Sequence, residues 1–212
     1  MSTATTQQPV TTLAKFRDGL LSRYYDDVKG RLPAGVHFEQ WAGGICGIFE
    51  AQPDLLKCAP QSLLSAVYEA ATTGLEPGQD LFYFVPRSGV LKCDLGYKGL
   101  IALAKRNGQL KDMYARTVFG DDIFTYYQGG NENIEHQPSD DPQREQGEVR
   151  YVYAVATLPC DTKAFECLSK AQLDQHVKDH VKGGWRADSW QQMAQKTVIK
   201  RFFNSGRIPY LA

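Results

Sequence analysis

The sequence predicts helices packed on an antiparallel β-sheet, on three observations. Glu148–Leu158 alternates Val149, Tyr151, Tyr153 and Val155 with Arg150, Val152, Ala154 and Ala156, so apolar groups fall on both faces, as in a central strand covered by helices. Leu81–Val85, closed by Pro86, and Val90–Leu95 are β-prone runs joined through Arg87-Ser88-Gly89, the pattern of a hairpin. Apolar residues recur at helical spacing near both ends of the chain.

Residues up to about Thr12 form a Thr/Gln-rich stretch, expected to be a disordered tail. Phe16, Leu20, Leu21, Tyr24 and Val28 mark one amphipathic helix. A second covers Phe38–Ala51, where Gly43, Gly44 and Gly47 point to close packing against another backbone. Pro60 opens a third helix carrying Leu63, Leu64, Val67 and Ala71, and Gly74 stops it. The turn Leu75-Glu76-Pro77-Gly78 leads into the hairpin. Gly96-Tyr97-Lys98-Gly99 then leads into a short helix, Leu100–Ala104, ended by Asn107-Gly108. Leu110–Phe119 and Asp122–Tyr127 read as strands, and the acidic, turn-rich Gly129–Gln146 as a loop. Ser169 with Gln172 forms a capping box for a helix reaching about His180, and Ser189 with Gln192 repeats the device for Trp190–Phe203.

The 212 residues suffice for one large domain or one with two lobes, and 42% hydrophobic with 23% charged residues is ordinary for a globular protein. There is no apolar run of about 18 residues and no signal-peptide pattern, so a cytoplasmic protein without membrane contact is expected. Cys46, Cys58, Cys93, Cys160 and Cys167 include no Cys-x-x-Cys pair and suggest neither a disulfide framework nor a zinc site. The zero net charge argues on its own against a nucleic-acid partner, but the charge is segregated. Lys92–Arg116 holds six cations against two acids, Thr117–Glu148 eight acids against Arg144 alone, and Lys182–Arg207 six cations against Asp188. Such blocks can build a basic groove beside an acidic wall, or meet across neighbouring subunits.

In the last helix Gln192, Lys196, Lys200 and Phe203 share one stripe, while Trp190, Met193, Ala194 and Thr197 occupy a sector suited to the core. The stripe is either a solvated face or a phosphate-contacting row beside an aromatic on which a base can stack. Gly96-Tyr97-Lys98-Gly99 offers a similar choice: an ordinary turn with a packed Tyr97, or glycines that let the backbone approach a ligand beside a helix N-terminus and a lysine. Spacing alone decides neither.

The ordered set of helix Ser62–Thr73, Gly74-Leu75-Glu76-Pro77-Gly78, Phe82-Tyr83-Phe84-Val85-Pro86, Gly96-Tyr97-Lys98-Gly99-Leu100, Arg106-Asn107-Gly108, His136-x-Pro138, Val152-Tyr153-Ala154 and Trp190-x-x-Met193-x-x-Lys196-Thr197 resembles the RecT family of single-strand annealing proteins. The resemblance covers roughly Leu13 to Pro209. It implies an α+β core, an antiparallel sheet with a packed helix akin to that of Redβ and the eukaryotic annealing proteins. It also implies homo-oligomeric rings or helical filaments in which single-stranded DNA, and the annealed duplex intermediate, lie along a continuous basic groove. By position in matching motifs, Lys98, Lys196 and Lys200 are the leading DNA contacts, grouped on one groove wall, followed by Tyr97, Lys92, Arg87, Lys105, Arg106 and Arg207. Arg201 falls on the Trp190 and Ala194 side of its helix and is expected in a structural or subunit contact. Members of the family commonly continue into a tail that recruits the host single-strand-binding protein or a partner exonuclease. This chain ends at Ile208-Pro209-Tyr210-Leu211-Ala212, so such recruitment is not expected of it.

No Gly-x-x-x-x-Gly-Lys-Ser/Thr loop occurs, so annealing is expected to need no nucleotide and no cofactor. The rivals are a passive single-strand-binding module and a two-metal nuclease built on Asp121, Asp122, Glu132 and Asp140. His176 and His180, four apart on a helix, lack a third ligand and read as surface residues; His136 reads as a turn or packing residue.

Overall fold

The computed structural model describes residues 12–208; nearly all of the expected tail, and Pro209–Ala212, lie outside the described residues. The chain is α+β, with antiparallel strands throughout, and divides into two compact units at Gly99/Leu100. No described helix is long and apolar enough to cross a membrane.

In the first unit the expected N-terminal helix is three pieces: α1 (Leu13–Asp18), a π turn (Gly19–Arg23) and α2 (Tyr25–Lys29). Apolar residues spaced by four drift about 40° per step on an α-helix. The wider turn, closed by Tyr24 N–H to Gly19 C=O at 2.9 Å, takes up that drift, and Leu20 and Val28 are both buried. α3 (Phe38–Ala51) buries Phe38, Trp41, Ala42, Ile45, Cys46 and Phe49. The expected close approach of a backbone at its glycines is corrected. At Gly44 a Cβ would stand 2.9 Å from the Pro77 ring, whereas at Gly43 and Gly47 nothing lies within 4 Å. α4 (Pro60–Thr73) starts on its proline and stops at Gly74, φ 59°. β1 (Phe82–Arg87) runs on through Pro86 and pairs with β2 (Val90–Leu95), because a two-stranded ribbon has edges on which proline is tolerated. Ser88 and Gly89 both have positive φ, as a two-residue hairpin turn requires. The inner face of the hairpin, Phe82, Phe84 and Leu91, is buried; the Phe84 ring packs tilted against that of Phe49, centroids 5.3 Å apart. α5 (Tyr97–Arg106) starts inside the Gly-Tyr-Lys-Gly motif and carries the chain onward.

The second unit is built on a three-stranded sheet of order β3 (Asp112–Phe119), β6 (Val149–Thr157), β7 (Lys163–Ser169), with β6 in the centre as its alternation predicts. The helices α6 (Lys170–His180) and α7 (Trp190–Asn204) follow it. On one face the small side chains of Ala154, Ala156 and Ala115 admit α7, which buries Ala194, Val198, Ile199, Phe202 and Phe203. Among the described residues the other face carries no helix, contrary to expectation. It is covered by a separate ribbon of β4 (Ile123–Tyr127) and β5 (Asn133–Gln137), whose Phe124, Tyr126 and Ile134 pack on Val118, Tyr153, Val155, Phe165 and Cys167. β5 lies within the segment read as a loop: only Ile134 and His136 face inward, too little apolar signal to reveal a strand. The Ser169 capping box is present in full. The second box is not: Ser189 closes a 3-10 turn, Ala187–Ser189, and its hydroxyl donates to Arg186 C=O at 3.3 Å instead of capping α7.

Candidate nucleic-acid interface

The Gly96-Tyr97-Lys98-Gly99 junction is shaped by internal packing. Gly96 N–H donates to Leu81 C=O at 2.8 Å. A Cβ on Gly96 would stand 2.6 Å from the Asp80 carbonyl oxygen, and one on Gly99 2.0 Å from that of Leu81. These glycines therefore admit the chain's own Asp80–Leu81 backbone, which replaces the reading of a ligand approach. Lys98 is exposed, with Nζ 3.7 Å from the Asp80 carboxylate, and Tyr97 is half-buried.

On the outer face of the hairpin Tyr83 pairs with Asp94, Val85 with Lys92 and Arg87 with Val90. The Arg87 guanidinium is bonded to the Asp94 carboxylate, while Lys92 is exposed. Tyr83, 46% exposed, presents a ring beside these cations; period-two alternation in Phe82-Tyr83-Phe84-Val85 puts it opposite the buried phenylalanines, a signal that sequence reading passed over. At the other end of α5, Lys105 Nζ meets Asp112 at 2.8 Å and Arg106 is exposed.

On α7 Lys196 is half-buried and Lys200 exposed. Phe203 is corrected: at 2% exposure it belongs to the core and cannot stack on a base. Trp190, expected toward the core, is half-exposed under the Lys170 ammonium, 4.9 Å from its ring, and Trp185 stands 5.8 Å away from it edge to face. Trp185 was missed by sequence reading, although an aromatic between Gly183-Gly184 and Arg186 in a basic segment signals an accessible ring. Arg201 Nε bonds Glu166 at 2.8 Å, a structural contact with β7. Arg207 is likewise engaged, with Glu132 at 2.9 Å and the Phe165 carbonyl at 3.3 Å.

The carboxylates weighed as a metal site serve other ends. Asp122, 4% exposed, accepts from Phe119 N–H (2.8 Å), Ser139 N–H (2.9 Å) and Arg144 Nε and Nη2 (2.5 and 2.7 Å). Burial alone would raise its pKa, but Arg144 and the two amides outweigh burial and hold the carboxyl well below the usual range. His136, on β5, lies 3.0 Å from both Asp122 Oδ2 and the Tyr153 hydroxyl, and the tautomer protonated at Nε2 satisfies both. Burial pushes the Tyr153 phenol up to about 12. Glu132 is held by Arg207, and Asp121 and Asp140 are exposed. Among the described residues no group of three or more His, Cys, Asp or Glu is arranged to hold a metal.

Exposed cations and half-exposed aromatics are thus displayed on helix and hairpin faces of an α+β scaffold. The chain belongs to the RecT family, whose family model matches residues 44–206, a span that contains every motif quoted above. It is 35% identical over 165 residues to Protein RecT of Escherichia coli (strain K12), covering 71% of this chain and 60% of that protein. It is also 30% identical over 201 residues to Uncharacterized protein YqaK of Bacillus subtilis (strain 168), covering 91% of this chain and 67% of that protein. The chain thus spans 60% and 67% of the lengths of these relatives.

Proposed function

We propose that this chain binds single-stranded DNA and anneals complementary strands in homologous recombination, acting in the cytoplasm without nucleotide hydrolysis and performing no bond-breaking step. The observation that carries the reading is family membership over a span that includes Lys92–Arg116 and all of Lys182–Arg207 but its last residue. Exposed Lys98 and Lys200, with Lys196, are assigned to phosphates; Lys92, Arg106 and Tyr97 come next. Arg87, Lys105 and Arg207 follow with smaller shares, because each is hydrogen-bonded to a carboxylate, whereas Lys98 stands 3.7 Å from that of Asp80. Cations on a strand's backbone release counterions and leave base edges free, and aromatic faces such as Tyr83 support unpaired bases without reading sequence. Pairing of the bases then supplies the driving free energy, so the protein's task is to hold and orient.

The fold is assigned to the annealing core shared with Redβ, and the working form to a homo-oligomer, ring or filament, that joins short tracks into a long one. Affinity then rises steeply with strand length through multivalency. The chain carries the annealing core. The test is duplex formation between fluorescent complementary strands without nucleotide. The reading requires faster pairing than the strands achieve alone; slower pairing identifies a passive binding module, and shortening of the strands with added divalent metal identifies a nuclease.

A further inference from the structure

A groove of about 350 Å³ lies between α6 and α7, and its lining includes Gln172, His176, Thr197, Lys200, Arg201 and Asn204. None of the lining residues is acidic, and five of them, Gln172, Thr197, Lys200, Arg201 and Asn204, carry hydrogen-bond donors whatever the pH. The nearby acid Glu166, on β7, is held by Arg201 Nε at 2.8 Å. His176 stands with its ring 4.9 Å from that of His180 and 6.3 Å from that of Trp185, so the groove has an aromatic flank beside its cations. Donors and positive charge in a cleft beside exposed rings match the chemistry of one phosphate and its sugar in a single strand.

We propose that this groove is a phosphodiester subsite in which Lys200 and the imidazole of His176 face the same phosphate. The proposal rests on the annealing reading only for the identity of the ligand as a DNA strand. The charged and titratable groups around His176 are Asp179 and His180 on α6, Lys200 and Arg201 on α7, and Glu166 behind Arg201. Burial, then His180 and Arg201, disfavour the imidazolium of His176, with Asp179 opposing them. A phosphate facing the ring works against these effects, because the anion favours the charged ring. Binding therefore takes up a proton: the pKa of His176 is higher in the complex than in the free protein. Affinity gains as pH falls through the interval between the two values and levels off below the lower one.

The experiment is fluorescence anisotropy of a labelled oligothymidylate with the full chain, at constant ionic strength, from about pH 8 to about pH 5.5, across the imidazole range. The expected rise in affinity is at least about threefold, the linkage of half a pKa unit. H176Q removes the rise, and H180Q keeps it but moves its midpoint to higher pH, since a neighbour that opposes protonation is gone. A rise of undiminished size in H176Q, or no rise in the unsubstituted chain, overturns the subsite and leaves annealing untouched. The imidazole resonance of His176 gives the second measurement: its midpoint moves up with oligothymidylate or with inorganic phosphate. An unmoved midpoint overturns the subsite. A shift with phosphate in a chain that fails to bind oligothymidylate keeps the subsite and sinks the annealing reading.

Discussion

Two regions carry the same sequence signal, lysines beside aromatics, and the fold uses them differently. At the junction of the hairpin with α5, the glycines are filled by Asp80–Leu81 backbone, Lys98 lies near Asp80, and Arg87 is bonded to Asp94. On α7, Lys200 is exposed at the edge of an acid-free groove, and the aromatic of its own stripe, Phe203, is buried while Trp185 and Trp190 from outside the stripe are half-exposed. A cation count is therefore a poor measure of available charge: what matters is whether the fold has already supplied the counterion.

The extreme of a charge used internally is Asp122 with Arg144. D122N leaves the Arg144 guanidinium, 15% exposed, without its anion and is expected to cost about 3–5 kcal/mol, the loss seen when one partner of a buried pair is removed. The folded pKa of Asp122 is depressed, so its contribution is full above the unfolded value of about 3.9 and is lost as pH falls below it. Denaturant melts should show the gap between the unsubstituted chain and D122N shrinking below about pH 4. A gap that stays constant into acid would place the stabilisation elsewhere.

Glycines in α3 and α5 give the next contrast. G99A drives a Cβ into the Leu81 carbonyl and is expected to cost about 3 kcal/mol, as overpacking against a fixed backbone does. G43A, with nothing within 4 Å on α3, is expected to stabilise by about 0.5–1 kcal/mol through helix propensity. Equal melting shifts for the two would mean that the junction yields, and would reopen it to a ligand.

A smaller effect separates the two cationic surfaces. K200A is expected to flatten the slope of log affinity against log salt by about 0.7, one released counterion on a single strand. R87A should change it less, because Asp94 already neutralises that guanidinium. The reverse order would show that the hairpin, and not α7, carries the phosphate contacts.

Much of this was legible in the sequence because local chemistry and packing agree there. Pro60 and Gly74 bound α4, Ser88-Gly89 fit the hairpin turn, and the doubled alternation of Val149–Ala156 marks a strand buried on both sides. Elements held by tertiary contact were not legible. β5 has two inward side chains, and one of them, His136, is polar and satisfied only by Asp122 and Tyr153. β7, absent from the sequence reading, alternates too briefly to stand apart from the capping box after it. Phe203 and Trp190 were exchanged between core and surface because a stripe drawn by spacing does not reveal which sector of α7 meets the small side chains of β6. At the site, the cations were visible and their counterions were not, since Arg207 and Glu132 are 75 residues apart in sequence.

The most direct test of the account is strand annealing by K196E and K200E, each measured together with its circular dichroism and melting temperature. Both should nearly abolish annealing while fold and stability stay close to those of the unsubstituted chain, and K163E, on the exposed start of β7, should anneal normally. Full annealing with an unchanged salt slope in K196E and K200E would contradict the account and return α7 to a solvated face.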